Sequence, residues 1–445
     1  MEGTDLDVSF AMRRVCLAIV VAACGARPAV KATPTDAFEV MAVLDRLPVA
    51  DLWPGFDPSL TPVAIYDGTS TWLFRHPSPP AGFVAERGAL RHPGRHEAVR
   101  ANASATLGGV EVATLLLDGR RDALGAAGTV VHESFHVFQR RRHPGWVANE
   151  LDYFTTPFDD VEVLTLRRAE AAGLDRSLDA GNEADRRCWA FAAVGRRKAR
   201  EVRVVGSATN YERAVERFEG LAQYVEHKAT GRPPQGFTPE ELPTEKVRER
   251  AYAAGEAWAV LLDDFSPGWR ETVENGQDER LDELVAASVG ERYRCQVTNE
   301  ELDAWRAAAE AEIGALHARR AQRRKEIFGR DGWTLSVVAG AEPLWPQGFD
   351  PWNLSPLEGG ELVHERWLKL GNRLGAIEVL DRPALTEAAG DHPLAEGVSR
   401  LTVTGLGEPV VREAGGKVTV EAAGVKGELA ATVVREGRRV ELRLR

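Results

Sequence analysis

Two histidines and a glutamate in one short stretch of this chain have the types and spacing of a metal-dependent catalytic site. The stretch Thr129-Val-Val-His-Glu-Ser-Phe-His-Val-Phe-Gln-Arg140 places His132 and His136 four positions apart. Side chains four apart share one face of an α-helix, so both imidazoles can bind one zinc ion with Glu133 beside them. Zinc lowers the pKa of a water molecule from about 16 to about 7, and a neighbouring carboxylate can take the proton. The spacing therefore predicts zinc ligation by His132 and His136, with Glu133 as the general base.

The helix that must position these residues has a recognisable apolar face. Its apolar residues recur at helical spacing, and both histidines fall at the border of the stripe they form: Leu124, Ala127, Val130, Val131, Phe135 and Phe138. A border position indicates a buried wall that opens on a cleft. The alternative is a helix whose histidines are simply polar residues at the margin of a core.

A third protein ligand must come from elsewhere in the chain. A metzincin-type site would continue with glycine at position 139 and histidine at position 142, but the chain has Gln139 and Arg142 there. After His143-Pro144-Gly145, the apolar residues follow helical spacing over four runs, at 161–172, 183–204, 211–230 and 244–264. We expect this helical block to supply the third ligand.

Within that block, Phe218-Glu-Gly-Leu-Ala-Gln-Tyr-Val-Glu226 resembles the second ligand helix of gluzincins, the zinc peptidases whose third ligand is a glutamate. The resemblance implies that Glu219 binds zinc, that small Gly220 and Ala222 let the two ligand helices approach, and that the catalytic unit is zincin-like. The same side of the helix carries Glu216 and Glu226. Either could be the ligand instead, Glu226 could support a histidine ligand, or all could form a hydrated face.

Hydrolysis also requires a donor for the developing oxyanion. The candidates by residue type are Tyr211, Tyr224, His227 and Tyr252. Asn149 and Glu150 follow the metal helix and could orient a substrate, although Asn149 also suits a helix cap before Leu151. The stretch from Tyr252 to Leu262 resembles the helix that packs behind the ligand helices in such peptidases, which implies that Gly255 permits close contact there.

The N-terminus has the character of an export signal. Met12-Arg13-Arg14 precedes an apolar run from Val15 to Ala23, which is too short to span a bilayer. The stretch Val21-Ala-Ala-Cys24 resembles a bacterial lipobox, so Cys24 could be lipidated and attach the protein to a membrane. Cleavage after Ala32 would instead release a soluble protein. Either route predicts an extracytoplasmic protein, in which Cys188 and Cys295 form one disulfide or remain two separate thiols.

The remaining patterns predict an α+β protein with a zincin-like catalytic unit at residues 33–327 and an all-β domain at 328–445. A mixed sheet, with a hairpin at Asp67-Gly68, should lead directly into the metal helix. The C-terminal strands are expected at 333–338, 361–370, 375–380, 399–404, 417–422 and 439–444. The loops at 52–58 and 344–351 echo each other and should pack against the same body or grip a ligand, and the charged run at 318–326 should be solvated.

Composition narrows the function. The chain has 445 residues, 44% hydrophobic content and a formal net charge of -11, without the basic stripe of a nucleic-acid binder. The sequence predicts an exported zinc hydrolase, a gluzincin-like metallopeptidase acting on a peptide or protein substrate. The alternatives are a zinc-binding surface protein of the same fold with little catalysis, and a metal-free envelope scaffold.

Overall fold

A computed structural model of the chain describes residues 35–117, 119–234, 243–276, 278–290, 295–350 and 353–445. The expected signal segment at 1–32, including Cys24, lies outside these residues. The described part has mixed α+β architecture, with an N-terminal sheet and helices followed by an all-β region, as the sequence patterns predicted.

The N-terminal sheet has six strands in the order β3-β4-β2-β1-β6-β5. Strands β1 and β6 pair in parallel and the other neighbours are antiparallel. The hairpin between β1 and β2 is where it was expected, and Asp67 Oδ1 closes it by accepting the backbone N–H groups of Thr69 and Ser70. The strands are β1 (Val63–Tyr66), β2 (Ser70–Phe74), β3 (Val84–Glu86), β4 (Ala89–Pro93), β5 (Ala103–Leu107) and β6 (Val110–Leu116).

Strand β6 leads directly into the long helix that carries the two histidines. Asp122 caps the start of this helix by accepting the Gly125 N–H at 2.7 Å, and His143 follows its last turn. The described helices are α1 (Ala37–Leu44), α2 (Ala123–Arg142), α3 (Val161–Asp179), α4 (Glu183–Glu201), α5 (Gly206–Val215), α6 (Leu221–Thr230), α7 (Val247–Phe265), α8 (Trp269–Asn275), α9 (Leu281–Val289) and α10 (Asn299–Phe328).

The buried face of α2 packs on both sheet and loop. Trp53 and Phe56, from the first of the two similar loops, meet Phe135 edge to face at centroid distances of 5.5 and 5.0 Å. Trp53 also donates its Nε1–H to Glu274 at 2.8 Å. This loop therefore anchors the core behind the histidines, where edge-to-face aromatic contacts add to the burial of apolar surface.

The second of the two similar loops has a different conformation. Residues Trp345–Phe349 form a strand at the edge of a C-terminal sheet, and Trp345 is 42% exposed. The expectation that both copies pack against one body is therefore wrong. The shared sequence is short, so its conformation is set by different neighbours at the two positions.

The C-terminal region consists of two sheets that enclose one apolar core. Their orders are β18-β19-β7-β14-β13-β10-β9 and β15-β16-β17-β12-β11-β8. The predicted strand at 361–370 is in fact two strands, and β8, β9, β13, β15, β17 and β18 were not predicted. The strands are β7 (Trp333–Val338), β8 (Trp345–Phe349), β9 (Leu354–Pro356), β10 (Glu361–His364), β11 (Trp367–Asn372), β12 (Gly375–Leu380), β13 (Ala384–Ala388), β14 (Val398–Leu406), β15 (Val410–Ala414), β16 (Lys417–Ala422), β17 (Val425–Leu429), β18 (Ala431–Glu436) and β19 (Arg439–Leu444).

Charged side chains at the end of α10 join it to the β region. Arg324 Nε lies 2.7 Å from Glu361 Oε2, Arg320 Nη1 lies 3.2 Å from Glu358 Oε1, and Arg323 pairs with Glu365. The expectation of a solvated run at 318–326 holds for Arg324, which is exposed, but is wrong for Arg320, which is buried, and for Arg323, which is half-buried. The periodicity of a charged helix does not reveal acidic partners that lie about 40 positions later in the chain.

A disulfide joins Cys188 on α4 to Cys295, which precedes α10. This outcome decides between the two alternatives that the sequence left open for these cysteines. The bond spans 107 positions, so it connects two otherwise distant parts of the helical block.

One buried histidine gives the β region a predictable pH dependence. His364 on β10 is 1% exposed, and burial lowers its pKa to about 3. An unfolded histidine has a pKa near 6.5. The unfolded chain therefore binds a proton that the folded chain excludes, and stability present above pH 6.5 is lost as pH falls towards 3. Between pH 7 and pH 5, we expect the free energy of unfolding to fall by about 2 kcal/mol more in the wild type than in His364→Phe.

Urea denaturation at several pH values measures this effect, with the fluorescence of the C-terminal tryptophans as the signal. Between pH 7.5 and 9, where the imidazole is neutral in both states, the stability difference between variant and wild type should stay constant. The prediction is contradicted if the free energy of unfolding falls equally in the two proteins as the pH is lowered from 7 to 5.

Candidate metal centre

The two predicted histidine ligands point their ε nitrogens at the same place. His132 Nε2 and His136 Nε2 lie 3.0 Å apart on the face of α2 that borders its apolar stripe, and both residues are buried. Two ring nitrogens at this distance have no room for a hydrogen on each. The pair is therefore arranged around a single shared cation or proton.

Glu219 completes the cluster from the second helix. Its Oε2 lies 3.0 Å from His136 Nε2 and 3.5 Å from His132 Nε2. Ligand atoms around a tetrahedral zinc ion, with bonds of about 2.0 to 2.2 Å, are about 3.3 to 3.6 Å apart. Within the part of the chain that the structure describes, these three residues form the one cluster of possible metal ligands. Its donor set suits zinc, and of its three separations the one of 3.5 Å falls in this range while the two of 3.0 Å are shorter.

Glu219 sits on a π-helical turn, Glu216–Gly220, between α5 and α6. Single π turns inside helices occur often at functional sites, because the extra residue redirects the side chains of the turn. Here Gly255 of α7 makes room for the turn, since a Cβ on Gly255 would lie 2.4 Å from the Glu216 carbonyl oxygen. Gly255 thus permits the close contact expected of it.

The expected role of Gly220 needs a correction. A Cβ on Gly220 would lie 2.6 Å from Gly255 Cα, so Gly220 faces α7 and not the histidine helix. The glycine that lets the two ligand helices approach is Gly128 on α2, where a Cβ would lie 2.8 Å from Thr230 Cγ2. The sequence pattern around Gly220 showed a small residue but not the direction in which it points.

A buried glutamine fixes the tautomer of His136. Gln139 Nε2 donates to the carbonyl oxygen of Phe218 at 2.9 Å, and Gln139 Oε1 lies 2.8 Å from His136 Nδ1. The side-chain amide of Gln139 has only one suitable orientation, because the flipped amide would place its oxygen against the carbonyl oxygen of Phe218. His136 Nδ1 therefore carries the hydrogen and Nε2 presents its lone pair to the cluster. Gln139 was noted from the sequence only as a departure from another motif.

His132 is supported by a carboxylate. Its Nδ1 lies 3.2 Å from Glu226 Oε2, within ion-pair distance but without the geometry of a hydrogen bond. A hydrogen on Nδ1 leaves the Nε2 lone pair for a metal, which is the usual arrangement of carboxylate-supported histidine ligands. Glu226 therefore lies where a supporting residue would. Glu216 points away from the cluster and pairs with Arg197 instead.

The charges of the cluster favour a bound cation. Burial alone would lower the pKa of His132, but Glu219 and Glu226 raise it to about 10. Burial works against ionisation of Glu219, yet the two histidines hold its pKa well below the usual range. The two carboxylates therefore favour positive charge at the imidazoles, which a divalent cation would supply.

Glu133 lies beside the cluster without belonging to it. The residue is buried and lines the same cleft. Burial raises the pKa of its carboxyl, although His132 and His136 oppose the shift. Among the described residues Glu133 has no hydrogen-bond partner or ion pair. Its carboxylate is therefore free to accept a proton from a molecule in the cleft.

The cleft over these residues has a volume of about 1130 Å³. Its floor is formed by α2 and by the π turn, and one wall is formed by β5, the edge strand of the N-terminal sheet. Asp350, Asn353 and Arg366 of the β region also line the cleft. The site is thus assembled from three separate parts of the chain.

Only one of the four oxyanion-donor candidates reaches the cleft, as far as the described residues show. Tyr252 stacks on His132 with ring centroids 6.4 Å apart. Burial and nearby Glu219 raise its pKa, so its hydroxyl keeps the proton that it would donate. The others face elsewhere: Tyr224 donates to Asp263, Tyr211 donates to Glu150, and His227 contacts Glu256.

Glu150 and Arg248 form a bridge that the sequence patterns did not reveal. Arg248 contacts Glu219 Oε1 at 2.7 Å through one nitrogen and Glu150 Oε1 at 2.5 Å through another. Arg248 thereby occupies the oxygen of Glu219 that does not face the histidines. Asn149 caps a short helical turn by accepting the Leu151 N–H, which is the structural alternative considered for it.

Gln139 provides a test of this supporting network. We expect Gln139→Leu to weaken zinc binding about 10- to 100-fold, because His136 loses the group that holds its ring and tautomer. Competition against a chromophoric chelator measures the affinity. Gln322→Leu, at an exposed position of α10, is the control. Equal zinc affinity for Gln139→Leu and wild type would rule out this supporting role.

Comparison of the chain with models of known families, with curated proteins and with solved structures found no match. No helix within the described ranges is both long enough and apolar enough to cross a bilayer. The function must therefore be inferred from the site itself.

Proposed function

We propose that this protein is an exported zinc-dependent hydrolase, a metallopeptidase of gluzincin type. The observation that carries the proposal is the convergence of His132 Nε2, His136 Nε2 and Glu219 Oε2 within 3.0 to 3.5 Å. Glu133 lies beside them and has no partner among the described residues. The sequence of a strand, the histidine helix and a downstream glutamate helix supports the finer proposal that the catalytic unit is zincin-like.

In this proposal each residue of the site has one role. His132, His136 and Glu219 hold the zinc ion, which when bound would supply a Lewis acid and lower the pKa of a water molecule. Glu133 takes a proton from water and later passes it to the leaving amine. Tyr252 donates a hydrogen bond to the oxygen that becomes negative in the reaction. Arg248 holds Glu219 in place.

Peptides are the substrates that the cleft suits best. Edge strand β5 forms one wall of the cleft, and an extended peptide can add to a sheet edge through its backbone. The cleft volume of about 1130 Å³ exceeds what a single amino acid needs. The gluzincin resemblance points to the same class of substrate.

Export is supported by two independent features. The segment at 1–32 has the order of charged and apolar residues found in secretion signals, and Cys24 is the residue that a lipid would modify. The Cys188–Cys295 disulfide fits an oxidising compartment outside the cytoplasm. We propose that the mature protein acts there, either attached through Cys24 or released.

The deciding experiment measures bound metal and cleavage together. The mature protein, purified at neutral pH without added metal, should contain about one zinc ion per chain by mass spectrometry. It should also cut peptides in a mixed pool, and a chelator should stop the cleavage. Absence of zinc would favour the metal-free scaffold, and zinc without cleavage would favour a binding protein.

A further inference from the structure

Three arginines line the cleft on the side of β5 and the end of α2. Arg95 and Arg100 lie in the segment between β4 and β5, and Arg140 lies in the last turn of α2. All three side chains are exposed. We call these residues the arginine rim.

The rim is not neutralised by the acids around it. Within the described ranges, Arg95 and Arg140 make no ion pair or hydrogen bond, and Arg100 uses its Nε only to hold the Glu97 carbonyl at 2.9 Å. This contrasts with Arg141, the neighbour of Arg140, whose Nε lies 2.7 Å from Glu111 Oε2 outside the cleft. Unpaired arginines that face a cleft are available to a ligand.

The other charges of the cleft are already committed. Glu219 and Glu150 face Arg248, and Arg366 lies 3.9 Å from Asp350. Glu133 serves as the proposed base. Among the described residues that line the cleft, Glu97 is therefore the acid left to offset three arginines on this side, in a protein whose formal net charge is -11. The local charge of the rim is opposite to that of the whole molecule.

We propose that the arginine rim binds a carboxylate of the peptide substrate, so that the enzyme prefers peptides that place a carboxylate on this side of the cleft. A guanidinium group offers a planar pair of donors that matches a carboxylate. The carboxylate can belong to an aspartate or glutamate side chain or to the C-terminus of the peptide. This inference rests on the proposed function, because it assigns the substrate class of the same cleft.

Binding rather than turnover gives the sharper test. The zinc-loaded Glu133→Gln variant would be titrated against three dansyl-labelled hexapeptides, with anisotropy as the signal. One peptide has internal glutamates and an amidated end, the second has glutamines and an amidated end, and the third has glutamines and a free carboxylate. We expect at least one carboxylate peptide to bind about tenfold more tightly than the neutral one, and the arm that does so identifies the source.

Matched variants connect the preference to the rim. Arg140→Gln should weaken binding of the preferred peptide about three- to fivefold, and Arg95→Gln with Arg140→Gln about tenfold, whereas Arg141→Gln should have little effect. Raising the salt concentration should reduce the preference. Equal binding of all three peptides, absence of binding, or equal effects of Arg140→Gln and Arg141→Gln would overturn the inference.

The binding test of the arginine rim and the test of the proposed function can fail independently. If neutral peptides are cleaved by the zinc-loaded wild type but no carboxylate preference exists, the function stands and the rim has no such role. If acidic peptides bind through the rim but nothing is cleaved, the inference about binding stands and the assignment as a peptidase fails.

Discussion

Replacing Glu133 with glutamine is expected to reduce kcat/KM for peptide cleavage about 10²- to 10⁴-fold, the usual contribution of a positioned general base. Glutamine keeps the size of the side chain but cannot accept the proton. Glu133 lies beside the three proposed zinc ligands and is not one of them, so the zinc content should stay at the wild-type value. The change should appear in kcat more than in KM, because proton transfer belongs to the chemical step.

The measurement pairs steady-state kinetics with metal analysis on the same preparation. Glu111→Gln is the matched control, since it removes one carboxylate from β6 outside the cleft. Retention of wild-type kcat by Glu133→Gln would eliminate Glu133 as the base. Loss of zinc together with activity would mean that the residue helps to bind the metal instead.

Arg197→Met is expected to lower the free energy of unfolding by about 3 to 5 kcal/mol, because it leaves buried carboxylates without their counter-charge. Arg197 is 1% exposed. It pairs with Glu216, and its Nε lies 3.4 Å from Glu170 Oε1. Burial alone would lower the pKa of Arg197, but Glu216, Glu170 and Asp282 raise it well above the ordinary value. The guanidinium is therefore charged and its partners depend on it.

The same substitution should also weaken zinc binding. Glu216 begins the π turn that carries Glu219, so release of Glu216 loosens the turn. Urea denaturation with and without zinc measures both effects. Lys198→Met, at an exposed position on the same helix, is the control for removal of one positive charge. A loss of stability below about 1 kcal/mol for Arg197→Met would show that the network is not a source of stability.

Much of the architecture was predictable from local patterns. Strands β7, β12, β16 and β19 have the bounds expected for them, as period-two alternation between turn residues is a local property. The long strand expected at 361–370 was wrong because the two halves join different sheets at Glu365-Arg366. Alternation along a chain does not tell which sheet each half joins.

Some features of the site were also predictable from local patterns, and others were not. The helical repeat alone placed His132 and His136 on one face with Glu133 beside them, and the structure keeps all three at the cleft. The choice among Glu216, Glu219 and Glu226 was open in the residues and rested on resemblance. Their different directions follow from the π turn, which changes the angular position of each side chain and depends on Gly255 far along the chain.

The sequence by itself determined which residue types could bind zinc and how far apart they lie on one helix, because helical geometry relates neighbours three and four positions apart. Tertiary structure decided which glutamate meets them, which ring nitrogen carries the hydrogen through Gln139, and which arginines remain unpaired at the cleft. Those features depend on contacts between residues about 80 or more positions apart. The energy of such contacts is set by the packing of whole helices and sheets, and no local pattern in the chain records it.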